Sequence, residues 1–282
     1  MLLKSLYPKL TNKTMIITAS MLLILGQILN IVCPHHLFHV NQIMLLAMLL
    51  LEFMVIKHIQ AGTEELKQSI KESSVFHFFT SRIDCSLTSE IISFALVAFF
   101  ITTMFAVGCL EPTITGIYGG ALGAVVFYIG IQAYIHYLSL LQFSSNLKNI
   151  EINDYSFYYP ALTKWMRELS KEFKFIEKWF ITLGLMYITI YAINIPQDFI
   201  ATAGLPLNMF LASWAGIFIL FIFAVPFLFS IRKDSLKTLV CKCKENSLNH
   251  LERKLATVPN STEQDRYAFL IKSVSGTENY PL

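Results

Sequence analysis

The chain has 282 residues, 55 % of them apolar and 15 % charged, with a formal net charge of +3. Soluble domains carry about 45–50 % apolar and about 25 % charged residues, so a chain with a mean hydropathy of +0.55 cannot hide its apolar surface in a soluble core. That balance excludes a secreted disulfide scaffold, a disordered chain and a typical cytosolic enzyme, and it points to a membrane protein.

A bilayer core of about 30 Å needs roughly 20 apolar residues of helix. The first such stretch is Met15–Cys33. Lys4, Lys9 and Lys13 precede it, as in a signal peptide, but no Ala-x-Ala cleavage site follows. It reads as an anchor. The turn Pro34-His35-His36 leads into a second span, Phe38–Ile56. Gln27, Asn30, Asn41 and Gln42 form a polar set in the outer half of this hairpin. They are candidates to line a pathway, or to bond to one another. Below them stands Glu52, the only formal charge inside a span. An intramembrane carboxylate is a functional candidate. Glu52 also lies five residues before Lys57, about 7.5 Å at the helical rise, so pairing with an interfacial base is the alternative.

A polar segment over 57–90 precedes the third span, Ile91–Leu110, and Glu111-Pro112-Thr113 turns the chain into the fourth, Ile117–Leu141. Gly116, Gly119, Gly120, Gly123 and Gly130 lie in or beside this span. Small residues four apart let helices approach closely in lipid, so these glycines are helix-packing candidates. Tyr128, Gln132 and His136 follow at the same spacing and join the pathway candidates. The alternative for all of them is ordinary packing with interhelical hydrogen bonds.

The segment 144–178 contains an amphipathic helix. Leu162, Trp165, Met166, Leu169, Phe173 and Ile176 keep a 3.6-residue period, with Lys164, Arg167, Glu168, Lys171 and Glu172 on the other face. The fifth span is Trp179–Ile195 and the sixth Leu205–Ile231, joined by a longer turn over Asn194–Pro206. A tail, 232–282, holds an apolar stripe (Leu236, Val240, Cys243, Leu251, Leu255) and a last helix. Ser261 and Gln264 mark its start as a capping box, and Gly276 its end.

The fold class read from this pattern is an all-α integral membrane protein. Six transmembrane helices form three hairpins over 1–231, with helical loops at 57–90 and 144–178 and a helical tail over 232–282. All 22 Lys and Arg residues fall before the first span, between the second and third, between the fourth and fifth, or after the sixth. The positive-inside rule then places both termini in the cytoplasm and the chain in the plasma (inner) membrane. The sequons at Asn12 and Asn260 fall on that side and are read as chance. The basic side needs no nucleic-acid partner.

The histidines His35, His36 and His39 read as a polar turn, and no metal-ligand set or cofactor motif stands out. Cys33 and Cys109 sit at outer span ends and read as unpaired, and Cys241-x-Cys243 reads as inert. There is no His-Glu-x-x-His, no Gly-x-Ser-x-Gly and no phosphate-binding glycine loop, so no enzyme is expected. A three-hairpin plan resembles that of the mitochondrial carriers, but their Pro-x-acid-x-x-base signature is missing. It is also similar in layout to channel-forming effectors of bacterial defence systems. The expected function is a homo-oligomeric pore or ion-channel subunit gated through its cytoplasmic helices, with the bilayer, further copies of itself, and a cytoplasmic ligand or protein at the tail as partners. A secondary transporter of a small solute, or a non-transporting membrane scaffold, is the alternative.

Overall fold

The structure, a computed structural model, describes residues 11–33, 38–71, 75–76, 79–80, 87–106, 113–147, 155–193 and 205–280. Seven α-helices follow in chain order: α1 Asn12–Val32, α2 Phe38–Ile70, α3 Leu87–Ala106, α4 Ile114–Asn146, α5 Lys164–Ile193, α6 Leu205–Thr257 and α7 Ser261–Ser275. A 3₁₀ turn, Pro160–Leu162, precedes α5. No strand occurs among the described residues. Three helices, α1, α2 and α4, are long and apolar enough to cross a membrane, and α3 carries a shorter apolar stretch, Glu90–Thr102. The outer turns at 34–36, 111–112 and 194–204, with His35, His36 and Cys109, lie outside the described residues.

The helices overrun the boundaries that hydropathy suggests. The second apolar run ends at Ile56, yet α2 continues to Ile70. The amphipathic segment and the fifth apolar run are one helix, α5. The sixth run and the tail stripe are also one helix, α6, of 53 residues, which passes through Pro226. Proline removes one backbone bond there. The last helix is capped by Asn260 rather than Ser261: its side chain accepts from Thr262 N at 3.1 Å. Gln264 still reaches back, to the Val258 carbonyl at 2.9 Å.

The chain divides into two compact units. The first comprises Met1–Ile59, Cys85–His136 and Ile176–Pro226; the second comprises Gln60–Asp84, Tyr137–Phe175 and Phe227–Leu282. In the first, Leu46, Met48, Leu49 and Ile56 of α2 pack with Leu122, Val126 and Ile129 of α4 and Leu183 of α5. Its outer surface is apolar as well. Of α1, only Met15, Ala19 and Gly26 are buried, while Ile16, Met21, Ile24, Ile28 and Ile31 are exposed. Apolar surface of that extent suits lipid.

The second unit has an aromatic and aliphatic core of its own. Leu66, Ile70, Tyr137, Leu140, Phe143, Trp165, Met166, Leu169, Phe173, Leu236, Val240 and Cys243 are buried in it. The apolar face read from the amphipathic pattern is therefore used for packing within the chain, except Leu162, which stays exposed in the 3₁₀ turn. Two edge-on aromatic pairs tie the elements, Phe79 with Phe143 at 5.1 Å and Tyr137 with Phe173 at 5.3 Å. Ser247, an interruption in the tail stripe, is buried but bonded to the Cys243 carbonyl and the Tyr155 hydroxyl. Burial pushes the Cys243 thiol up to about 12, so it stays protonated. Beyond α7, Lys244 Nζ holds the chain by the Thr277 carbonyl at 2.9 Å and Asn279 Oδ1 at 3.1 Å.

Phe173 has no exposed surface. Phe173→Ala is expected to cost about 3–5 kcal/mol, read as a fall in the denaturation midpoint of the detergent-solubilised chain.

Candidate functional site

Lipid gives helices no hydrophobic reason to associate, so close packing and polar contacts must hold them. The polar set of the first hairpin does this through one side chain. Gly26 leaves the α1 surface bare, and the Gln42 amide from α2 occupies the space a Cβ would take. Gln42 Nε2 donates to the carbonyls of Leu22 and Leu23, at 3.2 and 3.1 Å. Its Oε1 accepts from Gln27 Nε2 at 2.8 Å. Tyr118 of α4 completes the cluster: its hydroxyl donates to Leu22 O at 2.7 Å and lies 3.4 Å from Gln42 Nε2. Three helices thus meet at one amide. Asn30 stands apart and bonds the exposed His39 at 3.1 Å, and Asn41 is half-buried on α2.

Glu52 lies deep in the first unit, with 3 % of its surface exposed. Its Oε1 lies 3.4 Å from the place a Cβ on Gly130 would occupy, and its Oε2 has no hydrogen-bond partner. Lys57, the base that could have neutralised it, donates instead to Asn12 Oδ1 at 2.9 Å. Pairing with Lys57 is thus not made, and Gly130 of α4 stands beside the carboxylate. One pathway candidate and one packing glycine from the sequence meet here.

The other candidates on α4 turn elsewhere. Tyr128 packs on Phe94 of α3 with ring centroids 5.0 Å apart. Gln132 Nε2 donates to the buried Ser93 of α3 at 2.9 Å. His136 is half-buried. Gly119 and Gly123 would have nothing within 4 Å of an added Cβ among the described residues, so their row is open with respect to those. Gly116 N is capped by Thr113 Oγ1 at 3.1 Å, and Gly120 is half-buried. Cys33 carries a free thiol.

Sequence reasoning misplaced one residue. Glu172 sits on the charged face of the amphipathic pattern, yet it is only 4 % exposed. Its carboxylate occupies the space of a Cβ on Gly62 of α2, and Oε1 has no partner. Burial, and then the negative charge of Glu65, push its pKa up to about 8. The nearby cations are engaged by other acids: Lys171 with Glu168 at 2.8 Å and Lys67 with Glu64 at 3.8 Å. The signal that could have found it is Gly62, a glycine inside the polar C-terminal part of α2.

No protein-family model matches the chain, and neither a curated protein nor a solved structure is similar to it.

Replacing Gln42 by Leu removes the bonds of one amide between helices in an apolar setting. Gln42→Leu is expected to destabilise the chain by about 1–2 kcal/mol, and Gly26→Ala by a comparable amount, because a Cβ there displaces the same amide. Denaturation of both variants in detergent checks this.

Proposed function

We propose that the chain is a subunit of a homo-oligomeric membrane pore that passes a small cation and is gated through its cytoplasmic helices. In this reading six spans form three hairpins in a plasma membrane, with both termini cytoplasmic. The distribution of Lys and Arg supports that orientation.

Glu52 is the observation that carries the reading. A carboxylate buried without a partner costs free energy, and in a span such a residue marks an ion or proton path. Glu52 is 3 % exposed, one of its oxygens is bare, and Lys57, five residues along the chain, is bonded to Asn12. The open row at Gly119 and Gly123 supports assembly, since small residues are where a neighbouring helix can approach.

A secondary transporter is the second reading. It is favoured by one feature: Glu52 and the Gly130 it touches belong to the same chain, so the carboxylate site needs no second copy.

Mass measurement in detergent and cation flux into proteoliposomes separate the readings. A pore gives an oligomer and a non-saturating flux that Glu52→Gln abolishes. A transporter gives a monomer or dimer and a saturable flux with the same sensitivity. Flux through Glu52→Gln equal to the parent's would remove Glu52 from both.

A further inference from the structure

In the second unit, α5 crosses α2 where α2 has no side chain, at Gly62. Glu172 fills that crossing with its carboxylate rather than with an apolar group. It is 4 % exposed, and Oε1 is unpartnered. Both residues lie outside the apolar runs, where water competes for a charged group. Among the described residues, what acts on it is burial and then a like charge. On α2, Glu65 faces it with a like charge, and Lys67 is bound to Glu64. On α5, Lys171 is bound to Glu168, and Lys174 lies over the Tyr280 ring. The Tyr137–Asn146 stretch of α4 contains no ionisable acid or base other than the Tyr137 phenol.

We propose that Glu172 is a proton-operated latch between α2 and α5. Protonated, the carboxyl lies against the Gly62 backbone and the helices stay closed. Ionised, it is drawn out to water, and the crossing at Gly62 loosens. The proton comes from and returns to solvent, and no other group changes.

The direction follows from linkage. The closed form holds the Glu172 proton up to about pH 8, whereas an exposed glutamate releases it near 4.5. Between those values the closed form binds more protons, so closure is favoured at low pH and lost as pH rises. The latch is a property of these helices alone and stands apart from ion conduction, so its failure leaves the pore reading untouched.

Hydrogen exchange on the full chain in nanodiscs, corrected for the intrinsic pH dependence of exchange, tests it. Peptides covering 60–70 and 164–175 should open about tenfold more per pH unit through neutrality and level off near pH 8. Glu172→Gln should flatten that dependence. Glu65→Gln, a change at an exposed position, should move the plateau to lower pH. A parent without pH dependence in these peptides would overturn the latch. So would Glu172→Gln with the parent's dependence, or, should that variant fail to fold, Glu65→Gln with an unmoved plateau.

Discussion

A helix that must bury the polar end of a neighbour's side chain needs a place without a side chain of its own. Two glycines meet that constraint here. Gly26 receives the Gln42 amide and Gly62 receives the Glu172 carboxylate, whereas a Cβ on Gly130 would stand at an ordinary 3.4 Å from Glu52. Each glycine costs its helix about 1 kcal/mol relative to alanine. In return, the polar group reaches a neighbouring backbone instead of being pressed against apolar carbon. The amide gains carbonyl acceptors at Leu22 and Leu23. The carboxylates gain no comparable donor and keep one oxygen bare.

The two units solve cohesion differently. In the first, much of the outer surface is apolar, and burial of apolar atoms distinguishes packed helices poorly from helices in lipid. Specific polar contacts carry more of the burden there: the Gln42 cluster joins α1, α2 and α4, and Gln132 joins α4 to α3 through Ser93. In the second, the core is aromatic and aliphatic, and Phe79, Phe143, Tyr137 and Phe173 are all but fully buried. Where water surrounds such a core its burial is favourable at about 25 cal/mol per Å², and polar fasteners are needed less.

Helix existence was legible in the sequence because continuous apolar runs and a 3.6-residue period are local properties. Helix extent was not. Hydropathy changes sign after Ile56 and before Trp179, but the backbone does not respond to hydropathy, and α2 and α5 run through those boundaries. The cap at Asn260 rather than Ser261 is a shift of one residue, and it rests on which side chain reaches Thr262 N. Glu52 was legible as a lone charge in an apolar run. Its meeting with Gly130, and that of Glu172 with Gly62, were not, because both are contacts between distant parts of the chain. Periodicity put Glu172 among charged neighbours; the crossing helix, which supplies a glycine there, made that position an interior one.

Glu52 and Glu172 end up alike for a reason that lies in the bases around them. Lys57 is bonded to the neutral Asn12, Lys67 to Glu64 and Lys171 to Glu168. The acid partners are more exposed than the two buried carboxylates, and ion pairs at such positions contribute about 0–1 kcal/mol. For fastening the fold this is a poor use of bases, since a buried acid would benefit more from one. For keeping the proposed Glu172 latch responsive to protons it is the arrangement required. A salt-bridged carboxylate stays ionised over the whole physiological range. Glu172, buried against Gly62 with Lys67 and Lys171 engaged elsewhere, lacks such a partner, and its pKa is pushed up to about 8.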